Sequence, residues 1–123
     1  MRVLVIDDDE TFCRLLVEIL ESKGIETVWT TDGSAGYEMS TKNSYDLVII
    51  DVRMPLVLGT DLAEALKKKK PQANIILVSA FPDEDLRKNS ISLGAPLLSK
   101  PFSADRLLEA IDQTLNGSEH QNS

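Results

Sequence analysis

Cysteine and histidine are almost missing from this chain. Cys13 is the only thiol, so no internal disulfide can form, and the chain fits a reducing compartment. The only imidazole, His120, lies in the last few residues, so there is no His and Cys cluster to favour zinc. Positive charge is in the minority: the net charge is −7 and no basic stripe exists to neutralise phosphates, which argues against direct nucleic-acid contact. No apolar run approaches the roughly 20 residues needed to span a bilayer. The first residues enter a strand-like run at once, leaving no expected signal peptide. The expected setting is therefore the cytoplasm, away from membranes. No internal repeat beyond a strand–helix alternation and no low-complexity segment is evident.

What the chain does have is a set of short apolar runs that end in polar residues. Leu47-Val48-Ile49-Ile50 runs straight into Asp51. Such a run reads as a strand buried on both faces, with the carboxylate where the chain leaves the sheet. Val3-Leu4-Val5-Ile6 ends at Asp7-Asp8, and Ile75-Ile76-Leu77-Val78 ends at Ser79. A weaker run, Leu97-Leu98-Ser99, ends at Lys100. In open parallel sheets the carboxyl ends of the strands are where ligands bind. Three acids, a hydroxyl and an amine are thus candidates for one common edge.

Helical patterns fill the gaps between these runs. Phe12, Leu15, Leu16, Ile19 and Leu20 repeat at helical spacing, and Gly24 is placed to stop that helix. Ile25–Thr30 reads as a less apolar strand, followed by an Asp32-Gly33 turn and a short helix to about Lys42. Arg53 to Gly59 reads as a loop fixed by Pro55 and Gly59, with Thr60 as cap of a helix to about Lys69. Pro82 suits a first helical position, and that helix ends at Gly94. A last helix carries Ala104, Leu107, Leu108, Ile111 and Leu115 as its stripe. The domain is expected to span residues 1–116, with 117–123 as a polar tail or linker stub.

Five strands alternating with five helices imply an α/β fold with a parallel sheet and right-handed crossovers. The continuously apolar first, third and fourth strands should be central. The second and fifth should be edges. The flavodoxin-like, doubly wound order 2-1-3-4-5 satisfies this and sets Asp7 and Asp8 beside Asp51 at the switch point.

Clustered carboxylates repel and resist joint ionisation without a cation. Mg2+ takes one or two carboxylates together with waters and phosphate oxygens. Acids, a hydroxyl and a lysine around it suit phosphoryl transfer, with a carboxylate as nucleophile. Asp51, single and central, is the natural acceptor.

These residues resemble the receiver domains of bacterial two-component response regulators. The resemblance covers Met1 to about Asn116. It rests on Asp7-Asp8, Asp51, Met54-Pro55, Gly59, Ser79-Ala80 and Lys100-Pro101-Phe102, in that order. It implies that Asp51 accepts a phosphoryl group from a sensor histidine kinase or phosphotransfer protein. It also implies that Mg2+ is bound by Asp8, Asp51 and the backbone carbonyl of Arg53, with Asp7 acting through water or by positioning. Ser79 would bond the phosphoryl oxygen and Lys100 would pair with Asp51 or its phosphate, across a cis Lys100-Pro101 bond. The chain would be a switch for an unidentified output domain or partner. It would not be an enzyme, yet would catalyse its own phosphoryl transfer and hydrolysis. Its output face would be the fourth helix, fifth strand and fifth helix. Three departures stand out: Leu97 replaces the usual aromatic, the segment from Gly94 to Lys100 is one residue short, and Leu58 replaces an Asp before Gly59.

Taken singly, each motif has a plainer explanation. Asp7 to Glu10 is also a good acidic helix start, and Asp51 alone is a turn residue. Their joint order carries the reading. Two other functions share parts of the pattern. A haloacid-dehalogenase-type phosphatase also uses a strand-end Asp but needs a second Asp two residues on, where this chain has Arg53. A flavodoxin-like cofactor module needs a phosphate-binding loop after the first strand, where the acidic run here would repel phosphate.

Overall fold

The computed structural model describes the backbone of residues 1–121 and the side chains of residues 1–116. Seven strands form: β1 (Arg2–Ile6), β2 (Glu26–Thr30), β3 (Leu47–Asp51), β4 (Arg53–Met54), β5 (Val57–Leu58), β6 (Ile75–Ser79) and β7 (Leu97–Ser99). Five helices alternate with them: α1 (Glu10–Glu21), α2 (Gly33–Lys42), α3 (Gly59–Lys69), α4 (Glu84–Leu93) and α5 (Ala104–Gln121). The main sheet is parallel, in the order β2-β1-β3-β6-β7. Counting only its own strands, this is 2-1-3-4-5, the doubly wound order expected.

Burial explains the arrangement. Successive strand side chains point to opposite faces. Val3 and Val5 therefore join Ile49, Ile76 and Val78 in one core under α1 and α5, with Cys13, Leu16, Leu107 and Ile111. Leu4 and Ile6 join Val48, Ile50 and Leu77 in a second core under α2, α3 and α4, with Leu62, Leu66 and Leu86. β3 and β6 are buried along their whole length, whereas β2 is only partly covered, as an edge should be. Each fully buried Leu or Ile contributes about 1.5–3 kcal/mol by leaving water.

Local details differ from the sequence reading in five places. The segment after β3 is not a plain loop: β4 and β5 pair antiparallel as a hairpin, Arg53 opposite Leu58. Leu56, at its tip, has a φ of 67° and is fully exposed. Pro55 before it sets the first turn position and the positive φ falls on the second, as in a type II turn. Thr60 does not cap α3; Leu58 occupies the cap and offers no side-chain hydrogen bond. Pro82 lies before the cap of α4, which is Asp83, accepting from the Leu86 N–H at 2.8 Å. Gly94 does end α4 in the left-handed region, while α1 ends at Glu21, three residues before the positive-φ Gly24. α5 continues past Asn116, where the polar tail was expected to start. The side chains from Gly117 on, and residues 122 and 123 entirely, lie outside the described residues.

The vacant cap leads to a prediction. Leu58 already has an extended backbone, φ −84° and ψ 125°. Leu58→Asn should therefore supply the missing acceptor and raise stability by about 1 kcal/mol. The check is a higher urea midpoint at unchanged slope. An unmoved midpoint would mean the first N–H groups of α3 gain nothing from a side-chain acceptor.

Candidate functional site

The ends of β1 and β3 are adjacent because these strands pair from Val3–Leu47 to Ile6–Ile50. The register delivers Asp7, Asp8 and Asp51 to one place: a carboxylate oxygen from each lies within 4.8 Å of the others. Asp7 and Asp51 are buried, and Asp8 is exposed. All three offer oxygen, which suits a hard cation over a soft one.

Asp7 is held from every side. Its Oδ2 accepts from Lys100 Nζ at 2.7 Å, and its Oδ1 accepts from the Asp9 N–H at 2.9 Å. Its backbone carbonyl accepts from the Cys13 thiol at 3.2 Å. Burial pushes that thiol up to about 12, with the negative charge of Asp7 adding to it, so Cys13 stays protonated as a packing residue and weak donor. Asp9 in turn caps α1, accepting from the Phe12 N–H at 3.1 Å. The acidic run thus divides its work between a capped helix and the carboxylate cluster.

Lys100 is delivered from the far strand. Its backbone N–H donates to the Ser79 carbonyl at 2.8 Å, which ties the end of β7 to the end of β6. Its ammonium sits 2.7 Å from Asp7 and 3.8 Å from Asp51, with its side chain only 19% exposed. Asp7 is therefore its nearer partner. The resemblance implies a pairing of Lys100 with Asp51 or its phosphate, and an ion pair with Asp51 is present at 3.8 Å; the shorter contact to Asp7 spans 93 residues and no local pattern signals it. The Lys100-Pro101 bond is cis. Ser79 is buried at the end of β6, and its hydroxyl accepts from the Phe81 N–H at 3.1 Å. Arg53 is exposed at the start of the hairpin.

Asp51 is the electrostatically unsettled member. Burial comes first, then the charge of Asp7 and the neighbouring Asp8 carboxyl, and together they push Asp51 up to about 7 against the opposing pull of Lys100. One ammonium cannot neutralise three carboxylates, so the site favours either a proton or a cation.

Gly59 closes the site from below. Its N–H donates to the Val52 carbonyl at 2.7 Å. A Cβ there would meet the Asp51 carbonyl oxygen at 2.1 Å and the Val52 Cα at 2.7 Å. Its requirement is close approach of backbone to backbone.

A doubly wound sheet with clustered carboxylates, a hydroxyl and a lysine at its carboxyl edge defines a receiver-type phosphorylation switch. The family profile of the response regulator receiver domain matches residues 3–112, and the chain belongs to this family. It is 36% identical over 117 residues to the chemotaxis protein CheY of Bacillus subtilis, covering 94% of this chain and 98% of that protein. It is 33% identical to the transcriptional regulatory protein RprY of Bacteroides fragilis, covering all of this chain but 54% of RprY, so it spans about half of that relative. A solved receiver domain from Methanospirillum hungatei superposes with a TM-score of 0.91 at 27% identity, covering 98% of this chain and 97% of that one. The chain is a receiver domain of two-component signal transduction, a family whose members interact with histidine kinases and output domains. Among the described residues no helix is long and apolar enough to cross a membrane.

One expectation needs correcting. The description of the chain as no enzyme, yet catalysing its own phosphoryl transfer and hydrolysis, contradicts itself, since such catalysis is enzymatic. The family match carries a receiver domain, a phosphorylatable signalling switch, and nothing about self-catalysed hydrolysis.

Proposed function

We propose that Asp51 accepts a phosphoryl group from a histidine kinase or phosphotransfer protein, with Mg2+ in the acidic cluster, and that this switches a partner surface. The observation that carries the reading is the grouping of Asp7, Asp8 and Asp51 within 4.8 Å beside the Lys100 ammonium. Asp8, Asp51 and the backbone carbonyl of Arg53 would hold the ion, with Asp7 reaching it through water. All are hard oxygen donors, as Mg2+ prefers. The ion supplies charge neutralisation on the transferring phosphoryl group. The protein's own residues do the rest. Asp51 offers the nucleophilic oxygen, buried and central. Lys100 carries positive charge to the same point, and Asp7 keeps it there. Ser79 sits at the neighbouring strand end, where its hydroxyl accepts from the Phe81 N–H and still has its own hydrogen to donate to a phosphoryl oxygen.

Residues 1–116 would form the receiver unit, and 117–123 a polar C-terminal tail or linker stub. Its place would be the cytoplasm, where a lone, buried thiol is at home. Partner binding would fall on α4, β7 and α5, which flank Ser79 and Lys100. Substitutions there should abolish partner binding without blocking phosphorylation.

Intact mass after incubation with acetyl phosphate tests the acceptor. The expected result is one phosphate adduct that needs both Mg2+ and Asp51, and that Asp51→Asn lacks. An adduct surviving in that variant would place the acceptor elsewhere.

A further inference from the structure

We propose that Phe12 is a positioning residue for Lys100 during phosphoryl transfer; this rests on the reading of Asp51 as the acceptor. The ammonium of Lys100 has three neighbours. Two are the carboxylates of Asp7 and Asp51, at 2.7 and 3.8 Å. The third is the face of the Phe12 ring, whose centroid lies 4.0 Å away. The negative face of an aromatic ring attracts a cation, and more strongly where water is excluded. Here the Lys100 side chain is only 19% exposed.

A second contact works at the other end of the lysine. The Phe12 ring meets Phe102 edge to face, with centroids 5.7 Å apart and planes at 89°. Phe102 follows Lys100 by two residues. One ring therefore holds both the tip of the lysine and the backbone segment that carries it. Phe12 itself is fixed by the Asp9 cap, and the Asp9 N–H donates to Asp7. The ring and the Asp7 carboxylate are thus oriented by one short stretch of chain.

The consequence is directional. Asp7 and Phe12 both engage the ammonium, and Asp51 lies within 3.8 Å of it. That is where charge develops as the phosphoryl group arrives. A group held there beforehand stabilises the transition state without reorganising. Without the ring, the four-methylene side chain gains freedom and only the two carboxylates, Asp7 and Asp51, hold the ammonium.

Packing alone is the competing role, since Phe12 also borders the core. Phe12→Leu keeps apolar bulk and removes the ring face; Phe12→Tyr keeps the face. The experiment compares initial rates of adduct formation at saturating acetyl phosphate and Mg2+, Mg2+ affinity, urea midpoints, and the NMR shifts of the Lys100 ε-methylene protons. In the wild type those protons should lie upfield through the ring current. Phe12→Leu should remove that shift and slow adduct formation about tenfold, with Mg2+ affinity within twofold. Phe12→Tyr should restore both rate and shift. The proposal falls if Phe12→Leu reacts within twofold of wild type, if the wild-type protons lack the upfield shift, or if Phe12→Tyr is as slow as Phe12→Leu. A wild type that forms no Mg2+- and Asp51-dependent adduct would instead overturn the acceptor reading, and this proposal with it.

Discussion

Gly59→Ala should unfold much of the margin of this domain and disable the site together. The added methyl would stand 2.1 Å from the Asp51 carbonyl oxygen and 2.8 Å from its carbonyl carbon. These are backbone atoms at the end of β3, which pairs with β1 as far as Ile50 and with β6 through Asp51. They cannot swing aside as a side chain would. Overpacking a rigid site costs about 1–3 kcal/mol, and a backbone clash belongs at the top of that range or above it. The end of β3 would have to move, and Asp51 with it. A displacement near 1 Å at a reacting group lowers a rate by about 100-fold. Urea denaturation and the initial rate of adduct formation should therefore both register large losses. A variant within 0.5 kcal/mol of wild type, estimated as an unperturbed surface change, would mean that β3 and α3 separate more easily than their contact implies.

Asp51→Asn should act in the opposite direction on stability. Burial, followed by the charge of Asp7, raises the Asp51 carboxyl from its ordinary 3.8 to about 7. Between those values the folded protein keeps a proton that the unfolded chain releases. The folded state then binds more protons, so stability falls as pH rises through this window, and the loss is complete above about pH 8. By linkage the full loss is about 4 kcal/mol. Asparagine cannot ionise and escapes it. Without divalent cations at pH 8, Asp51→Asn should be more stable than wild type by roughly 2–4 kcal/mol. Near pH 4 the two should converge. Added Mg2+ should narrow the gap at pH 8 by stabilising the wild type. The comparison is urea denaturation with chelator at pH 4 and 8. A difference that does not change with pH would show that Asp51 ionises as freely in the fold as outside it.

The strands of the main sheet were legible because a strand buried on both faces must be a continuous apolar run. Val3–Ile6, Leu47–Ile50 and Ile75–Val78 have no other comfortable place in water. Their polar followers then fall at one sheet edge, which is why the sequence alone groups Asp7, Asp8 and Asp51. The β4–β5 hairpin was hidden for the opposite reason. Its strands are two residues each, too short for a period to show, and its turn uses Pro55-Leu56 where a glycine would have signalled a positive φ. The cap of α3 falls on Leu58 and not on Thr60, and Leu58 has no capping chemistry that a sequence pattern would show.

The linear sequence, then, determined the strands of the main sheet, the helices between them, the strand order and the set of groups at the carboxyl edge. Each of these follows from local hydrophobic period and from what the chain must bury. Tertiary structure alone decided who touches whom within that set. Lys100 settles nearer Asp7 than Asp51. Phe12 lays its ring against the ammonium. Gly59 lies under the Asp51 backbone. Such distances depend on strand twist, register and helix seating across tens of residues, and no local pattern in a chain encodes a difference of 1 Å between two partners.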